Sequence, residues 1–407
     1  MLETAASLTM APAMPLAPSP IETRQLKLIQ TALFTGFVIT GGVATILGPA
    51  LPIFIARWTL TDAQAGLFFT TQFTGSFTGV VLSSLLLTRG YRNALVVGFL
   101  LLAAGVVGLT SATQLVALSS TAVYGFGFGL TIPATNLCIA EIAGARRAAA
   151  LNLLNMAYGA GAIACPILML VGLNAGRLTE VLDAMAISST LLAILFLTMK
   201  FEPSAATQLQ NPSATHQHQS STKHPIHVPV ALALLFYLYV GAESSISGWI
   251  AEQARRIGAG TISTIVPMFF WAGILAGRGA SALLLARIKE NSLVIVGLLL
   301  SAIGITCLLL APSRAQLIFG VILAGLGFAG IYPVFIAWLS KWYGERARRL
   351  GGVMFSLAAL GGATVPWTVG FVSQYSRSLR VGLLVPLAGC LAMMLIVSSL
   401  RRRMSAA

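Results

Sequence analysis

Long apolar segments constrain this chain more than any other feature. Twelve of them follow one another, and each is close to the ~20 residues that a helix needs to cross a bilayer core. Only 9% of the 407 residues are charged, against about 25% in soluble domains. Lipid offers no partner for an open strand edge, so the pattern predicts an all-α membrane protein with twelve transmembrane helices. The segments lie near 29–56, 64–87, 93–110, 115–140, 148–173, 181–199, 228–251, 262–286, 292–311, 315–340, 350–373 and 381–400.

The basic residues predict the orientation of these spans. If the N-terminus is cytoplasmic, 17 of the 25 Lys and Arg residues fall on that side and seven on the other. Such a bias is typical of cytoplasmic loops, so we expect both termini in the cytoplasm and the protein in a bacterial inner membrane. The net charge of +14 follows from this bias. No basic stripe stands outside the apolar segments, so no nucleic-acid partner is expected.

A polar stretch divides the spans into two sets of six. It holds all four histidines and has the composition of a solvated linker. The four cysteines lie inside apolar segments without metal-ligand spacing, so neither a metal nor a cofactor is expected. The predicted organisation is a cytoplasmic tail (1–27), a six-helix half (28–200), a cytoplasmic linker (201–227), a second six-helix half (228–400) and a basic cytoplasmic tail (401–407).

The two halves repeat at an offset of 200 residues. An even number of spans returns the chain in the same orientation, so the halves should be related by an axis along the membrane normal. This arrangement resembles the major facilitator superfamily, whose halves rock around a site near the middle of the membrane. The matching pairs are Gly41 and Gly241, Gly79 and Gly279, Pro133 and Pro333, Arg146 and Arg346, Gly161 and Gly361, and Pro166 and Pro366.

Within that superfamily, several stretches resemble the fucose permease-like sugar:proton symporters. The segment Tyr239–Gly248 is similar to their span 7, and Trp271 with Gly277-Arg278 is similar to span 8. The resemblance implies a secondary transporter, not an enzyme, that moves a small neutral, hexose-like sugar by alternating access. Further similar stretches are 59–67 at the start of span 2, 151–166 in span 5, 361–366 in span 11 and 384–387 in span 12.

One departure from that family concerns coupling. Its fucose transporters carry an acidic residue in span 1 and another in span 4, both tied to proton coupling. The corresponding positions here are Gly48 and Ile132, which cannot titrate, whereas Asn136 matches the family's span 4 asparagine. We therefore expect uniport, or coupling to a proton or sodium ion through a different group.

Two charged residues lie inside spans, where a lone charge costs at least about 2.5–3.5 kcal/mol. Glu243, near the middle of span 7, is predicted to bind substrate hydroxyls or to carry the coupling cation. Arg278, in span 8, is predicted to take part in coupling or gating. The two could instead form a purely structural pair, and Glu141 or a helix C-terminus would also serve as the partner of Arg278.

Amides and aromatic rings complete the predicted site. Amides both donate and accept, as sugar hydroxyls do, although they could equally bond one helix to another. Aromatic rings give a sugar an apolar face, although each could equally pack in the core. Glu141 is predicted to form a cytoplasmic gating latch with Arg146 and Arg147, although these arginines could equally be a plain positive-inside anchor. The substrate-binding candidates are Glu243, Asn136, Asn155, Gln72, Tyr332, Trp367, Trp271 and Tyr158.

Other functions of such a chain stay open. An efflux transporter for amphipathic drugs or lipids would need a wide apolar cavity, which the buried amides argue against. A transport-inactive sugar receptor is also compatible with the sequence. The expected partners are a small sugar or polyol, a coupling proton or sodium ion and the lipid bilayer, and a monomer is expected.

Overall fold

The computed structural model describes residues 20–88, 90–111, 113–199, 201, 226–343 and 346–405. This part of the chain is helical and contains no strand. Two short 3₁₀ helices, Gly144–Arg146 and Gly260–Ile265, precede α6 and α9. The α-helices are α1 Pro20–Ala44, α2 Leu47–Trp58, α3 Asp62–Leu87, α4 Tyr91–Gly108, α5 Gln114–Ala143, α6 Arg147–Asn174, α7 Leu178–Thr198, α8 His227–Arg256, α9 Val266–Leu284, α10 Glu290–Leu309, α11 Arg314–Phe328, α12 Ile331–Tyr343, α13 Ala347–Ser376, α14 Leu379–Gly382 and α15 Leu384–Ser405.

These helices form the twelve predicted spans. Span 1 is α1 with α2, spans 2–9 are α3 to α10, span 10 is α11 with α12, span 11 is α13, and span 12 is α14 with α15. In the described residues, 11 spans are long and apolar enough to cross a membrane. The remaining span, α3, is long enough at 26 residues but carries many threonines, serines and glycines. The prediction of an all-α, twelve-span protein is confirmed.

The ends of the chain differ from the predicted boundaries. Helix α1 already begins at Pro20 and α15 continues to Ser405, so helix extends into both predicted tails. Residues 1–19 and most of the predicted linker, including three of its four histidines, lie outside the described residues. The tail and linker assignments therefore stay predictions.

The predicted repeat reappears as matching helix crossings. Gly161 of α6 lies against the backbone carbonyl of Val38 in α1, and Gly361 of α13 lies against that of Tyr237 in α8. A Cβ at either glycine would collide with that carbonyl, so the close crossing requires glycine at equivalent places in both halves. Because the number of spans is even, Pro20 and Ser405 lie at the same end of the bundle. We call this the tail end, and the opposite one the far end.

Two spans are broken near a proline. In span 1, Pro49 has no N–H, and Gly48 N donates to Thr45 O (3.2 Å) instead of to Ala44 O. The helix is interrupted at Thr45 and Ile46, and the Ala44 carbonyl is released from the ladder. In span 10, α11 ends at Phe328 and α12 begins at Ile331, just before Pro333. Inside a membrane such carbonyls need side-chain donors.

Candidate functional site

The centre of the molecule holds a polar group that we call the central cluster. It comprises Tyr158 of α6, Tyr239 and Glu243 of α8, Trp271 and Arg278 of α9, and Tyr332 of α12. Glu243 lies sixteen residues into the 30-residue helix α8, which places it about 24 Å from the start of that helix at 1.5 Å per residue. The cluster is therefore near the middle of the bundle.

The central cluster bridges the two halves of the protein. The ring of Tyr158, from the first half, meets the ring of Trp271, from the second half, edge to face with centroids 6.1 Å apart. One residue further along α6, Gly159 packs against Leu275 of α9. On the side of its own half, Tyr158 contacts Phe37 (5.9 Å). A molecule bound beside Tyr158 and Trp271 would thus touch both halves, as alternating access around a midplane site requires.

Glu243 is held by one hydrogen bond and surrounded by polar groups. The Tyr239 hydroxyl lies 3.2 Å from Glu243 Oε1. Arg278 is close enough to interact electrostatically with Glu243. The hydroxyls of Tyr158, Tyr239 and Tyr332 are close enough to interact electrostatically with both of these charged side chains. Among the described side chains, however, Glu243 and Arg278 do not form a direct ion pair. The pair of Glu243 and Arg278, which the sequence left open, is thus an electrostatic interaction at longer range.

Two buried donors of the central cluster have no protein acceptor in the described part of the chain. They are the indole N–H of Trp271, whose side chain is only 8% exposed, and the Nε–H of Arg278. Buried polar groups are almost always hydrogen-bonded, to protein or to water, so these two donors are available to an acceptor that enters the cluster.

The two predicted asparagines extend this site towards the tail end. Asn136 Nδ2 donates to Ile132 O (2.8 Å) and Asn155 Nδ2 donates to Leu151 O (2.9 Å), so each amide is anchored to its own helix. Neither Oδ1 atom accepts a hydrogen bond from another described residue. Asn155 precedes Tyr158 by three residues and so shares its face of α6. Asn136 lies two turns beyond Phe128, whose ring contacts Tyr158 at 6.5 Å.

Gln72 lies elsewhere and has a structural position. Its Nε2 donates to the Ala44 carbonyl (3.0 Å), the one released by the break in span 1, and its Oε1 accepts from the Tyr124 hydroxyl (3.2 Å). Both functions of this buried amide are therefore taken up by the protein. The sequence left substrate binding and helix bonding open for this residue, and the structure shows the helix bonds.

Trp367 also lies apart from the central cluster. Its ring is 36% exposed and stacks on Phe371 with centroids 5.5 Å apart, while its backbone packs against Gly66 of α3. In the described structure its ring does not stack on a ring of the central cluster. Of the two aromatic residues predicted next to prolines, the structure brings only Tyr332 to the cluster.

Two residues of the predicted latch, Glu141 and Arg146, lie near each other in sequence at the tail end. Glu141 ends span 4 and Arg146 lies beyond the turn at Gly144, in the short 3₁₀ helix at the tail end. Both side chains are exposed, and the described structure has no ion pair between them. The turn separates the two charges, which a count of residues along the sequence could not show.

The far end holds an ionic group that the sequence did not predict. We call it the far-end network: Asp62 of α3, Glu252, Arg255 and Arg256 of α8, and Ser373 of α13. Arg256 Nε donates to Glu252 Oε1 (2.7 Å) and Arg256 Nη1 donates to Asp62 Oδ2 (3.0 Å). The Ser373 hydroxyl donates to the same Asp62 carboxylate. The network thus ties the first half of the protein to two helices of the second.

Glu252 is the least expected member of the far-end network, because its side chain is fully buried. Two bonds from Arg255, each of 2.7 Å, and one from Arg256 neutralise it. A carboxylate followed three and four residues later by arginines is a helical ion-pair pattern. That pattern is visible in the sequence, but at the end of a span it is usually solvated.

The far end is closed in this structure. Besides the far-end network, Gly48 of α2 packs against the backbone of Ser247, the Phe69 ring covers Gly248, and Thr70 Oγ1 donates to Ala363 O (2.7 Å). These contacts between the halves lie away from the tail end.

Comparisons with known proteins agree with this architecture. The glucose/mannose transporter of Bacillus subtilis (strain 168) is 26% identical over 157 residues, which are 37% of this chain and 38% of that protein. The matched part thus spans well under half of the relative's length. The xylose transporter XylE of E. coli, in an inward open conformation, has 16% identity and a TM-score of 0.71 over 91% of this chain and 95% of its own.

A second solved structure is the transporter FucP in the outward conformation, with 19% identity and a TM-score of 0.63 over 92% of this chain and 99% of its own. At these identities the structural matches show the fold alone. The sequence model of the Major Facilitator Superfamily matches residues 33–293, more than half of the chain. The expected resemblance is therefore confirmed, and with it a transporter rather than an enzyme: this chain belongs to the Major Facilitator Superfamily of multi-pass membrane proteins.

Proposed function

We propose that this protein moves a small neutral, hexose-like sugar across the bacterial inner membrane by alternating access. It acts as a uniporter or with cation coupling through Glu243. The tail end faces the cytoplasm and the far end faces the opposite side. The 17-to-7 distribution of basic residues supports this orientation. The protein relative, named as a glucose/mannose transporter, supports the substrate class.

The chemistry of the central cluster carries this proposal. Sugar hydroxyls both donate and accept hydrogen bonds, and sugar rings have an apolar face. The cluster offers unpaired donors at Trp271 and Arg278, a carboxyl acceptor at Glu243, and aromatic faces at Tyr158 and Trp271. Asn136 and Asn155 add two amide oxygens on the tail-end side. A purely apolar efflux cavity would leave these donors unpaired.

The far-end network supplies the second requirement of alternating access, a closure that can open. In this conformation it joins the halves through Arg256, Asp62 and Ser373, and the site is expected to be reached from the tail end. Opening the far end requires these bonds to exchange for water. This is feasible because Arg256 is 30% exposed and Asp62 12% exposed.

The test is uptake of labelled glucose, mannose, fucose and xylose into proteoliposomes, with and without a pH or sodium gradient. We expect at least one of these sugars to enter faster than into empty vesicles. Uptake of none of them, together with no thermal stabilisation by any of them, would refute the sugar assignment. Stabilisation without uptake would instead indicate a receptor.

A matched pair of variants tests the site. Trp271→Phe keeps an aromatic ring but removes the unpaired N–H, and we expect it to raise KM for the sugar by about tenfold, the loss of one hydrogen bond of about 1.4 kcal/mol. Trp342→Phe is the control, because that ring stacks on Trp338 near the tail end. An unchanged KM in Trp271→Phe would show that the sugar does not bind at the central cluster.

A further inference from the structure

Tyr239 lies against both pieces of the broken span 10. Its ring meets Phe328, the last residue of α11, at 5.7 Å, and it meets Tyr332 and Phe335 of α12 at 5.4 and 6.2 Å. Only 1% of its surface is exposed. The Tyr239 side chain therefore contacts both α11 and α12 and restrains the position of one relative to the other.

The Tyr239 hydroxyl has two neighbours and one proton. It lies 3.2 Å from Glu243 Oε1 and 3.1 Å from the Phe328 carbonyl. A tyrosine hydroxyl can donate only one hydrogen bond, and a carbonyl can only accept. If Glu243 is ionised, the carboxylate and the carbonyl compete for that proton. If Glu243 is protonated, its carboxyl O–H donates a hydrogen bond to the Tyr239 oxygen, and the Tyr239 hydroxyl donates to the Phe328 carbonyl. The carboxyl, the hydroxyl and the carbonyl then all have a hydrogen-bond partner.

We propose that Tyr239 is a positioning residue that links a proton on Glu243 to the break in span 10. This inference rests on the proposed function and names its coupling ion as the proton. Protonation forms a chain from the Glu243 carboxyl through the Tyr239 hydroxyl to the Phe328 carbonyl, which holds the end of α11. Loss of the proton redirects the hydroxyl to the carboxylate and releases the Phe328 carbonyl, so α12 becomes free to move against α11.

When Glu243 is ionised, a nearby cation balances its charge. The charged or titratable groups that face it are Arg278 from α9, Tyr332 from α12, Tyr158 from α6, and Tyr239 on its own helix. The other described helices packed against α8 bring no charged group to it. An ionised Glu243 is therefore balanced by Arg278, the only cation facing it in the described structure. The proton enters from one side of the membrane and leaves to the other, so no other reactant is needed.

The central experiment compares Tyr239→Phe with Tyr237→Phe. Tyr237 is two residues earlier on α8, and its hydroxyl bonds Thr364 (2.8 Å) away from Glu243. The measurement is exchange of labelled sugar across proteoliposomes at equal pH on both sides, between about pH 6 and pH 8. A rate controlled by one proton changes by up to about tenfold per pH unit. We expect that dependence in the wild type and in Tyr237→Phe.

Tyr239→Phe should lose the pH dependence, because the carboxyl no longer controls the Phe328 carbonyl. Glu243→Gln should also be independent of pH, since its amide can donate to Tyr239 at every pH, as a protonated carboxyl does only at low pH. Wild-type pH dependence in Tyr239→Phe would overturn the inference, and so would wild-type pH dependence in Glu243→Gln.

An infrared measurement without sugar separates this inference from the proposed function. The difference spectrum between low and high pH should show a protonated carboxyl band that is missing in Glu243→Gln and displaced in Tyr239→Phe. An unchanged band in Tyr239→Phe would overturn the inference, even if transport is lost in that variant. A wild-type protein that moves no sugar would refute the proposed function, whereas the infrared result would still decide the link between Tyr239 and Glu243.

Discussion

The breaks in spans 1 and 10 use the same device with different chemistry. In span 1, the released carbonyl of Ala44 accepts from Gln72, whose oxygen in turn accepts from a tyrosine, Tyr124. In span 10, the carbonyl of Phe328 accepts from Tyr239, which also contacts Glu243. Each half thus has one carbonyl at a break, one tyrosine, and one side chain with a terminal carbonyl group.

The two breaks differ in whether the side chain with the terminal carbonyl group, Gln72 or Glu243, can titrate. An amide always donates, so the break in span 1 is satisfied at every pH. A carboxyl donates only when it is protonated, so the break in span 10 is fully satisfied in one of two states. The released carbonyl is thus bonded directly by an amide in span 1, whereas in span 10 we propose that a carboxyl controls it through a tyrosine.

The largest expected effect comes from removing the permanent cap. Gln72→Leu leaves the Ala44 carbonyl and the Tyr124 hydroxyl buried without partners, at about 1–3 kcal/mol each. We expect a clear drop of the thermal unfolding temperature in detergent. Gln64→Leu on the same helix is the matched control, because its exposed side chain only closes a capping box with Thr61 and should cost about 1 kcal/mol. Equal losses in the two variants would contradict a capping role for Gln72.

A second substitution should turn the permanent break into a switchable one. Gln72→Glu places a carboxyl beside the Ala44 carbonyl, which it can bond only when protonated. We expect this variant to be nearly as stable as the wild type at about pH 5 and less stable at about pH 8, by about 1–3 kcal/mol for the unpaired carbonyl. The measurement is the unfolding temperature against pH, with the wild type in parallel. Parallel curves would show that the amide proton at this break is dispensable.

A third substitution, away from both breaks, tests whether pH control belongs to the breaks at all. Asp62→Asn removes the charge that Arg256 binds at the far end. The expected cost is about 1–2 kcal/mol, or about tenfold in the closed population. Spin labels on Leu115→Cys and Ala315→Cys, both at the far end, should then report longer distances, in a background without the native cysteines.

The same variant supplies its own control, because the pH dependence of sugar exchange should stay as in the wild type. A flattened pH profile in Asp62→Asn would move the proton-sensitive element from span 10 to the far-end network.

The smallest effect is expected next to the break in span 1. The Thr45 hydroxyl donates to Gly41 O (2.9 Å), a carbonyl that lies inside α1. Thr45→Val keeps the shape and should therefore change stability by less than about 1 kcal/mol. A loss as large as that of Gln72→Leu would show that Thr45, rather than the amide, maintains the break.

Much of the architecture is encoded locally and could be predicted. The length and apolar character of the segments set the twelve spans, because a bilayer accepts little besides helices. The 200-residue offset of Gly161 and Gly361 predicted equivalent crossings, since only glycine lets two backbones approach so closely. The position of Glu243 and Arg278 inside spans singled them out, because a charge in lipid is costly enough to need a reason.

The partners of polar groups depend on contacts between distant helices, which no local pattern contains. Gln72 and Asn155 look alike in the sequence. Gln72 caps a broken helix, whereas the Oδ1 atom of Asn155 accepts no hydrogen bond from another described residue. Asp62 and Arg256 are 194 residues apart, and only the packing of α3 against the second half brings them together.

The sequence by itself thus determined that the chain lies in a membrane, how many spans it has and that its two halves repeat. It also determined which two charges must be accommodated within the membrane. Only the tertiary structure decided that Tyr239 lies between Glu243 and the Phe328 carbonyl. The reason is physical: hydrophobicity acts on each segment separately, whereas a hydrogen bond needs two specific atoms within about 3 Å.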